Sequence, residues 1–161
     1  MTFLTRTPVL WALFAAAVLI TFGFSALAPM VGGQFLDMVR TGAGAQALLA
    51  GMTGPQRTAH LWITLLLDTA YPLAYGGFFA GMALRFFGRF GRLASLPAFA
   101  TMIVDLTENT VQTLALSGAA NALDAKGWLT PLKFYLFDVA GLIALVALVI
   151  AILNMFRKKT A

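Results

Sequence analysis

The sequence predicts an all-α fold, an integral membrane four-helix bundle. Of 161 residues, 60% are hydrophobic and 11% charged, where a soluble domain carries about a quarter charged. The apolar residues also run in stretches of about 20, the length that crosses a bilayer as a helix. A third observation bears on function. Three of the four stretches carry carboxylates: Asp68 in one, Asp105 and Glu108 in the next, Asp138 in the last. A charge at membrane depth costs at least ~2.5–3.5 kcal/mol, so by default it marks a functional position.

Residues 1–161 read as a single transmembrane domain. The first span covers about 9–28 and holds no charge. Thr7-Pro8 looks like a cap followed by a first-turn proline, and Pro29 follows the end. Arg6, this apolar run and Ala26-Leu27-Ala28 also resemble a secretory signal peptide with its cleavage site. The run is longer than a typical signal core and Pro29 would stand just after the cut, so retention as a span is the expectation. An outer loop, 29–60, comes next. Its segment 33–52 is too polar and too short to cross a bilayer. Phe35, Leu36, Met38 and Val39 against Gln34, Asp37 and Arg40 suggest a short interfacial helix, broken up by Gly42, Gly44 and Gly51. It would lie on the outer surface as a passive connector or a lid.

The second span, about 61–84, contains Pro72, whose missing N–H should kink the helix and free a carbonyl around Asp68. A freed carbonyl beside a carboxylate suits a cation or a ligand hydroxyl; a plain packing kink is the alternative. Gly77 and Gly81 form a G-x-x-x-G pair that lets another helix approach closely. The third span covers about 93–116. The fourth, about 132–156, follows the start signal Thr130-Pro131.

Charge orients the spans. Arg6, Arg85, Arg89, Arg92, Arg157, Lys158 and Lys159 share one side, against Arg40, Arg57, Lys126 and Lys133 on the other. The bias toward basic cytoplasmic loops then puts both termini in the cytoplasm of a bacterial inner membrane. The net charge of +5 reads as topology and contact with anionic membrane lipids. No basic–aromatic interleaving suggests nucleic acid. The absence of cysteine excludes disulfides, thiolate catalysis and Cys-ligated metals. A single histidine excludes a His-rich metal site. There is no G-x-S-x-G, P-loop or H-E-x-x-H motif, and no cofactor is expected.

Helical spacing sorts the polar residues into faces. Thr101, Asp105, Glu108 and Gln112 form one stripe on the third span, flanked by Asn109 and opposed by Met102 and Leu106. His60, Thr64, Asp68, Tyr71 and Tyr75 form a second stripe on the second span. On the fourth, Lys133 and Phe137 continue a line of Ala140, Ala144, Ala147 and Ala151, while Asp138 points ~140° away. Tyr135 lies one turn before it and could donate a hydrogen bond; span one or a second protomer could instead face it. At 1.5 Å per residue, Asp68, Glu108 and Asp138 sit ~9–12 Å below the outer boundary, with Asp105 near the midplane. The expectation is a polar pocket in the outer half of the bilayer, enclosed by spans two to four.

Asp105 and Glu108 are helical neighbours that should share a proton, as suits an acid/base pair or a proton relay. Lys133 or Arg57 would neutralise the remaining charge. Asp68 would hold a polar or cationic group, with Tyr71, Tyr75, Asn109 and Gln112 orienting it. A buried ion-pair network that only fixes helix register is the structural alternative. A divalent metal at Asp68, Asp105 and Glu108 is not expected, since three ligands are few and no motif supports it.

Asp68-x-x-Tyr71-Pro72-x-x-Tyr75, then Asp105-x-x-Glu108-Asn109, then Lys133, resembles a group of uncharacterised small bacterial four-span membrane proteins. The likeness covers spans two to four and implies no activity. A second likeness, of architecture alone, is to EXPERA-domain proteins (sterol isomerases and sigma-2-receptor-like proteins). These also have four spans, a long first outer loop and acidic residues around a lipophilic-amine or sterol pocket. The expected function is binding, or conversion, of an amphiphilic, lipid-like molecule. The alternatives are a small proton-coupled transporter, expected as a homodimer, and a structural or assembly subunit.

Overall fold

Helix α1 spans Thr7–Leu27, with a proline in its first turn, where a missing N–H costs nothing. Its cap is Arg6 and not Thr7. Thr7 lies inside the helix and its hydroxyl accepts from Arg85 Nη1 at 2.8 Å. The structure, a computed structural model, describes residues 3–159, and no strand occurs among them. The side chains of Arg157, Lys158 and Lys159, which the orientation argument uses, lie outside the described ones.

After α1 the chain turns through Gly32 and Gly33, at φ 83° and 88°, a region that side-chain-bearing residues avoid. A short 3-10 turn, Leu36–Met38, precedes helix α2, Gly42–Gly51. The expectation that Gly42 and Gly44 interrupt a helix is therefore corrected: both lie within one. Thr41 caps it by accepting from the Gly44 N–H at 3.1 Å. A Cβ on Gly42 would stand 2.6 Å from the Asp124 Cα, so glycine is what lets α2 rest on that turn. Leu36 and Ala45 are fully buried against Ala115, Leu116 and Leu123. Segment 33–52 is thus ordered and packed on the bundle end.

Helix α3, Gly54–Ile63, opens with a capping box between Thr53 and Gln56, which satisfies two orphan N–H groups reciprocally. It runs through a single π-helical turn, Thr64–Asp68, into α4, Thr69–Phe86. A one-turn helix α5, Gly91–Ala94, leads to α6, Leu96–Ser117. Gly118, at φ 80°, ends α6. Arg57 donates from Nε to the Leu116 carbonyl at 2.6 Å and from Nη2 to the Ala115 carbonyl at 2.8 Å, satisfying acceptors that a helix end leaves open. Helix α7, Lys126–Lys159, follows a 3-10 turn at Leu123–Ala125. It begins before Thr130-Pro131, so that pair lies inside the helix and is not its start.

Helix α4 packs against α1, α6 and α7, and α6 packs along α7. Two segments are long and apolar enough to cross a membrane, Thr7–Val31 and Leu123–Phe156. The G-x-x-x-G pair serves the α1–α4 contact. A Cβ on Gly77 would lie 3.2 Å from Leu13, and one on Gly81 only 2.5 Å from the Leu4 carbonyl oxygen. Met102, expected on the outer face, instead packs against Gly76.

Gly81→Ala should therefore destabilise by about 1–3 kcal/mol, the usual cost of overpacking. Gly127→Ala, where a Cβ meets nothing within 4 Å, should be neutral or slightly stabilising. Thermal unfolding of both variants in detergent checks this, and equal midpoints would show that α1 does not seat as closely as described.

Candidate functional site

The stripe on α6 is buried along its whole length: Thr101, Asp105, Glu108, Asn109 and Gln112 are each 4% exposed or less. Helix α7 meets it with Lys126, Thr130 and Lys133, which share a face by their spacing of four and three. Glu108 Oε1 pairs with Lys126 and accepts from the Thr130 hydroxyl at 2.5 Å, while Oε2 lies 2.8 Å from Lys133 Nζ. Lys133 also pairs with Asp37, and its Nζ is 3.5 Å from Asp105 Oδ1. The other oxygen of Asp105 accepts from the Tyr75 hydroxyl at 2.7 Å. Thr101 donates to the Lys133 carbonyl at 3.3 Å.

Asp68 lies within electrostatic range of Asp37, Asp105, Glu108 and Lys133. It is buried, and no hydrogen bond or ion pair reaches its carboxylate among the described residues. Its backbone carbonyl, deprived of an N–H partner by Pro72, accepts from Asn109 Nδ2 at 2.7 Å. The freed carbonyl is therefore closed by the protein, and Asn109 serves the backbone.

A cavity of about 180 Å³ opens beside this cluster, with Tyr71, Tyr75, Phe134 and Phe137 as aromatic wall and Asp37, Asp105 and Lys133 as polar lining. Tyr75 and Phe137 meet edge to face at 4.9 Å. Tyr71 accepts from Thr21 of α1 at 3.3 Å and packs edge to face on Phe24, so α1 takes part as well.

The structure thus brings Asp105, Glu108, Asp68, Tyr71, Tyr75 and Lys133 together. Glu108 and Asp68 stand behind the cavity, outside its lining. Gln112 is buried with neither amide atom bonded among the described residues. Arg57 does not neutralise the carboxylates; it caps α6, and Lys126 takes that role. Asp138 is exposed, faces away and bonds no group among the described residues, Tyr135 included. Asp37, Lys126, Thr130 and Phe134 escaped the sequence reading. Lys126 could have been found by extending the Lys133 face back two turns, had the helix start been read earlier. Oxygens of Asp37, Asp105 and Glu108 lie within 4.8 Å of one another, but the Lys133 ammonium already stands among them as a tethered cation.

Glu108→Gln should leave Lys126 buried and partly unpaired, a loss of about 3–5 kcal/mol. The Glu108→Gln/Lys126→Met double variant should recover part of it. Denaturant unfolding of the singles and the double checks this; strict additivity would mean the pair does not interact.

His60 ties the loop to the bundle. It is 1% exposed, its Nε2 accepts from the Leu36 N–H at 3.1 Å, and Phe35 stacks on its ring. Burial lowers its pKa to about 4, with Asp37 opposing and Lys126 assisting the shift. The unfolded chain then binds a proton that the folded chain refuses. This contribution is fully present above pH ~6.5 and is lost as pH falls from ~6.5 toward 4, by up to ~3 kcal/mol. His60→Gln, which keeps an acceptor for Leu36, should flatten that part of the stability–pH curve. An unchanged slope would show that His60 does not titrate in this window.

No known protein family, no curated protein and no solved structure matches this chain, so the site is interpreted from its own chemistry.

Proposed function

We propose that the chain is a multi-pass protein of a bacterial inner membrane, with four spans at about 9–28, 61–84, 93–116 and 132–156 and both termini cytoplasmic. Its cavity binds an amphiphilic, lipid-like molecule through a positively charged or proton-donating head. The membrane reading is supported by large apolar side chains exposed around the outside: Trp11, Leu19, Phe22, Leu66, Ile103 and Leu142 are each more than half exposed. The ionic groups Asp68, Asp105, Glu108 and Lys133 are turned inward instead.

The observation that carries ligand binding is unbalanced charge beside an aromatic wall. Asp37, Asp68, Asp105 and Glu108 gather with only two ammoniums, Lys126 and Lys133. Asp68 has no ion-pair partner among the described residues, Asp105 shares Lys133 with Asp37 and Glu108, and low dielectric makes such a shortage of counter-charge costly. A cationic head would supply the missing charge and gain from the tyrosine and phenylalanine faces, while an apolar tail would lie toward lipid. Asp105, next to the cavity, is the acid/base candidate if the ligand is converted. Glu108, held by two lysines and a threonine, serves mainly to position Lys133.

The same surplus favours proton-coupled transport as a second reading, since an unpaired carboxylate can load and release a proton. Mass spectrometry of small molecules retained by the purified protein tests the first reading. A species held by wild type and lost about tenfold in Asp105→Asn, the effect of one charge-assisted contact at the cavity lining, but kept in Asp138→Asn, is the expected result. No retained species, together with pH-gradient-driven uptake into liposomes, would favour transport instead.

A further inference from the structure

The bundle end opposite the carboxylates carries a second, larger cavity of about 390 Å³. Its floor is Phe78 and Met82 of α4, and its walls are Leu10 and Phe14 of α1 and Leu148 and Ala151 of α7. Helices α1 and α7 both pack on α4 and leave a cleft between them. Phe14 and Leu148 on its rim are 43% and 47% exposed, so it opens sideways, along the surface that the membrane reading places in lipid.

One cation closes this cleft. Arg85, one turn beyond Met82, donates to the Thr7 hydroxyl at 2.8 Å and the Thr5 carbonyl at 3.2 Å, and lies over the Phe86 ring at 5.3 Å. All three partners are neutral, so the guanidinium keeps its full charge. No Asp or Glu side chain among the described residues shares this end. Asp37 and Asp124 belong to the opposite loops, Asp68, Asp105 and Glu108 to the buried cluster, and Asp138 follows Lys133 by little more than one turn. Arg6, Arg89 and Arg92 flank Arg85 in the same region and add to the uncompensated positive field.

We propose that this cleft is a binding site for an anionic phospholipid of the cytoplasmic leaflet, with one acyl chain between α1 and α7 and its phosphate on Arg85. The apolar walls match a hydrocarbon chain. The guanidinium offers the forked donors that suit a phosphate, and its place at the polar end fixes which way the lipid enters. The distance from Arg85 to Phe78 along α4, ~10 Å at 1.5 Å per residue, gives the chain a groove two turns long. The site rests on the membrane reading and is independent of the carboxylate cavity and its ligand.

The test reconstitutes the full chain into phosphatidylcholine vesicles containing a minor share of phosphatidylglycerol, then extracts it and counts retained lipids by native mass spectrometry. Wild type should retain phosphatidylglycerol in preference to phosphatidylcholine. Arg85→Gln should lose that preference about tenfold, the effect of one charge-assisted contact, and Arg85→Lys should restore part of it. Ala151→Trp, which fills the cleft and leaves every charge in place, should lose the retained lipid as well. Arg89→Gln/Arg92→Gln, which lowers the surrounding field and leaves the cleft lining intact, should lose far less of the preference than Arg85→Gln does. Equal retention of the two lipids by wild type, or undiminished retention by both Arg85→Gln and Ala151→Trp, overturns the site. Failure of wild type to float with the vesicles overturns the membrane reading itself.

Discussion

One shared carboxylate organises the polar end of this bundle. Glu108 is fully buried and is divided between Lys126 and Lys133, two turns apart on α7, with Thr130 between them. Because the two lysines straddle it, the arrangement fixes α7 against α6 both along its axis and about it. A slip of one residue would rotate α7 by ~100° and remove both partners at once. Such a pair adds little net stability over apolar packing, but breaking it is costly, which is the condition under which buried charge specifies register. Lys133, once positioned, reaches Asp37 and Asp105, so docking of the loop and the shape of the cavity follow from the same contact.

The helical stripes were legible because a period of 3.6 leaves a mark on any chain with one polar face. The stripes from Thr101 to Gln112 and from His60 to Tyr75 could be read as inward faces before any coordinates, and their members are buried apart from the half-buried Tyr71. The partners that complete the site were harder to read, one because it comes from a segment without a period and one because the start of its helix is disguised. Asp37 sits in a three-residue turn, where its sequence neighbourhood suggests only a polar surface. Lys126 was read as an outer-loop charge because Thr130-Pro131 has the form of a helix start. A proline near the beginning of a helix forfeits only one backbone bond, so α7 continues backward through it and carries Lys126 into the interior.

Pro72 shows how far a local rule extends. The freed carbonyl at Asp68 follows from the missing N–H alone, and it is there. What receives it does not follow, because the answer lies 41 residues away at Asn109. A π-helical turn, Thr64–Asp68, immediately precedes α4, a form frequent at functional sites. The Asp68 side chain at its end is buried with no hydrogen-bonding partner among the described residues. That pairing of a satisfied backbone with an unsatisfied side chain separates Asp68 from Glu108: the first has no side-chain partner among the described residues, the second is committed to the α6–α7 contact.

The two ends of the molecule are electrostatic opposites. At one end four carboxylates outnumber two ammoniums in the cluster beside the aromatic-walled cavity. At the other, Arg6, Arg85, Arg89 and Arg92 have no Asp or Glu beside them among the described residues, and the bonds that Arg85 makes there go to neutral groups. Neither imbalance is relieved by an Asp, Glu, Lys or Arg side chain among the described residues, and moving a helix to relieve one would unseat the glycine-mediated α1–α4 contact or the α6–α7 register. Each end therefore calls for a counter-charge from outside, of opposite sign in the two cases. On the proposed reading, an anionic surface against the basic end would supply one counter-charge and orient the bundle, and a cation or proton in the aromatic cavity would supply the other. A cationic ligand drawn by the carboxylates would be repelled by the arginines, so on that reading it has one end at which to bind.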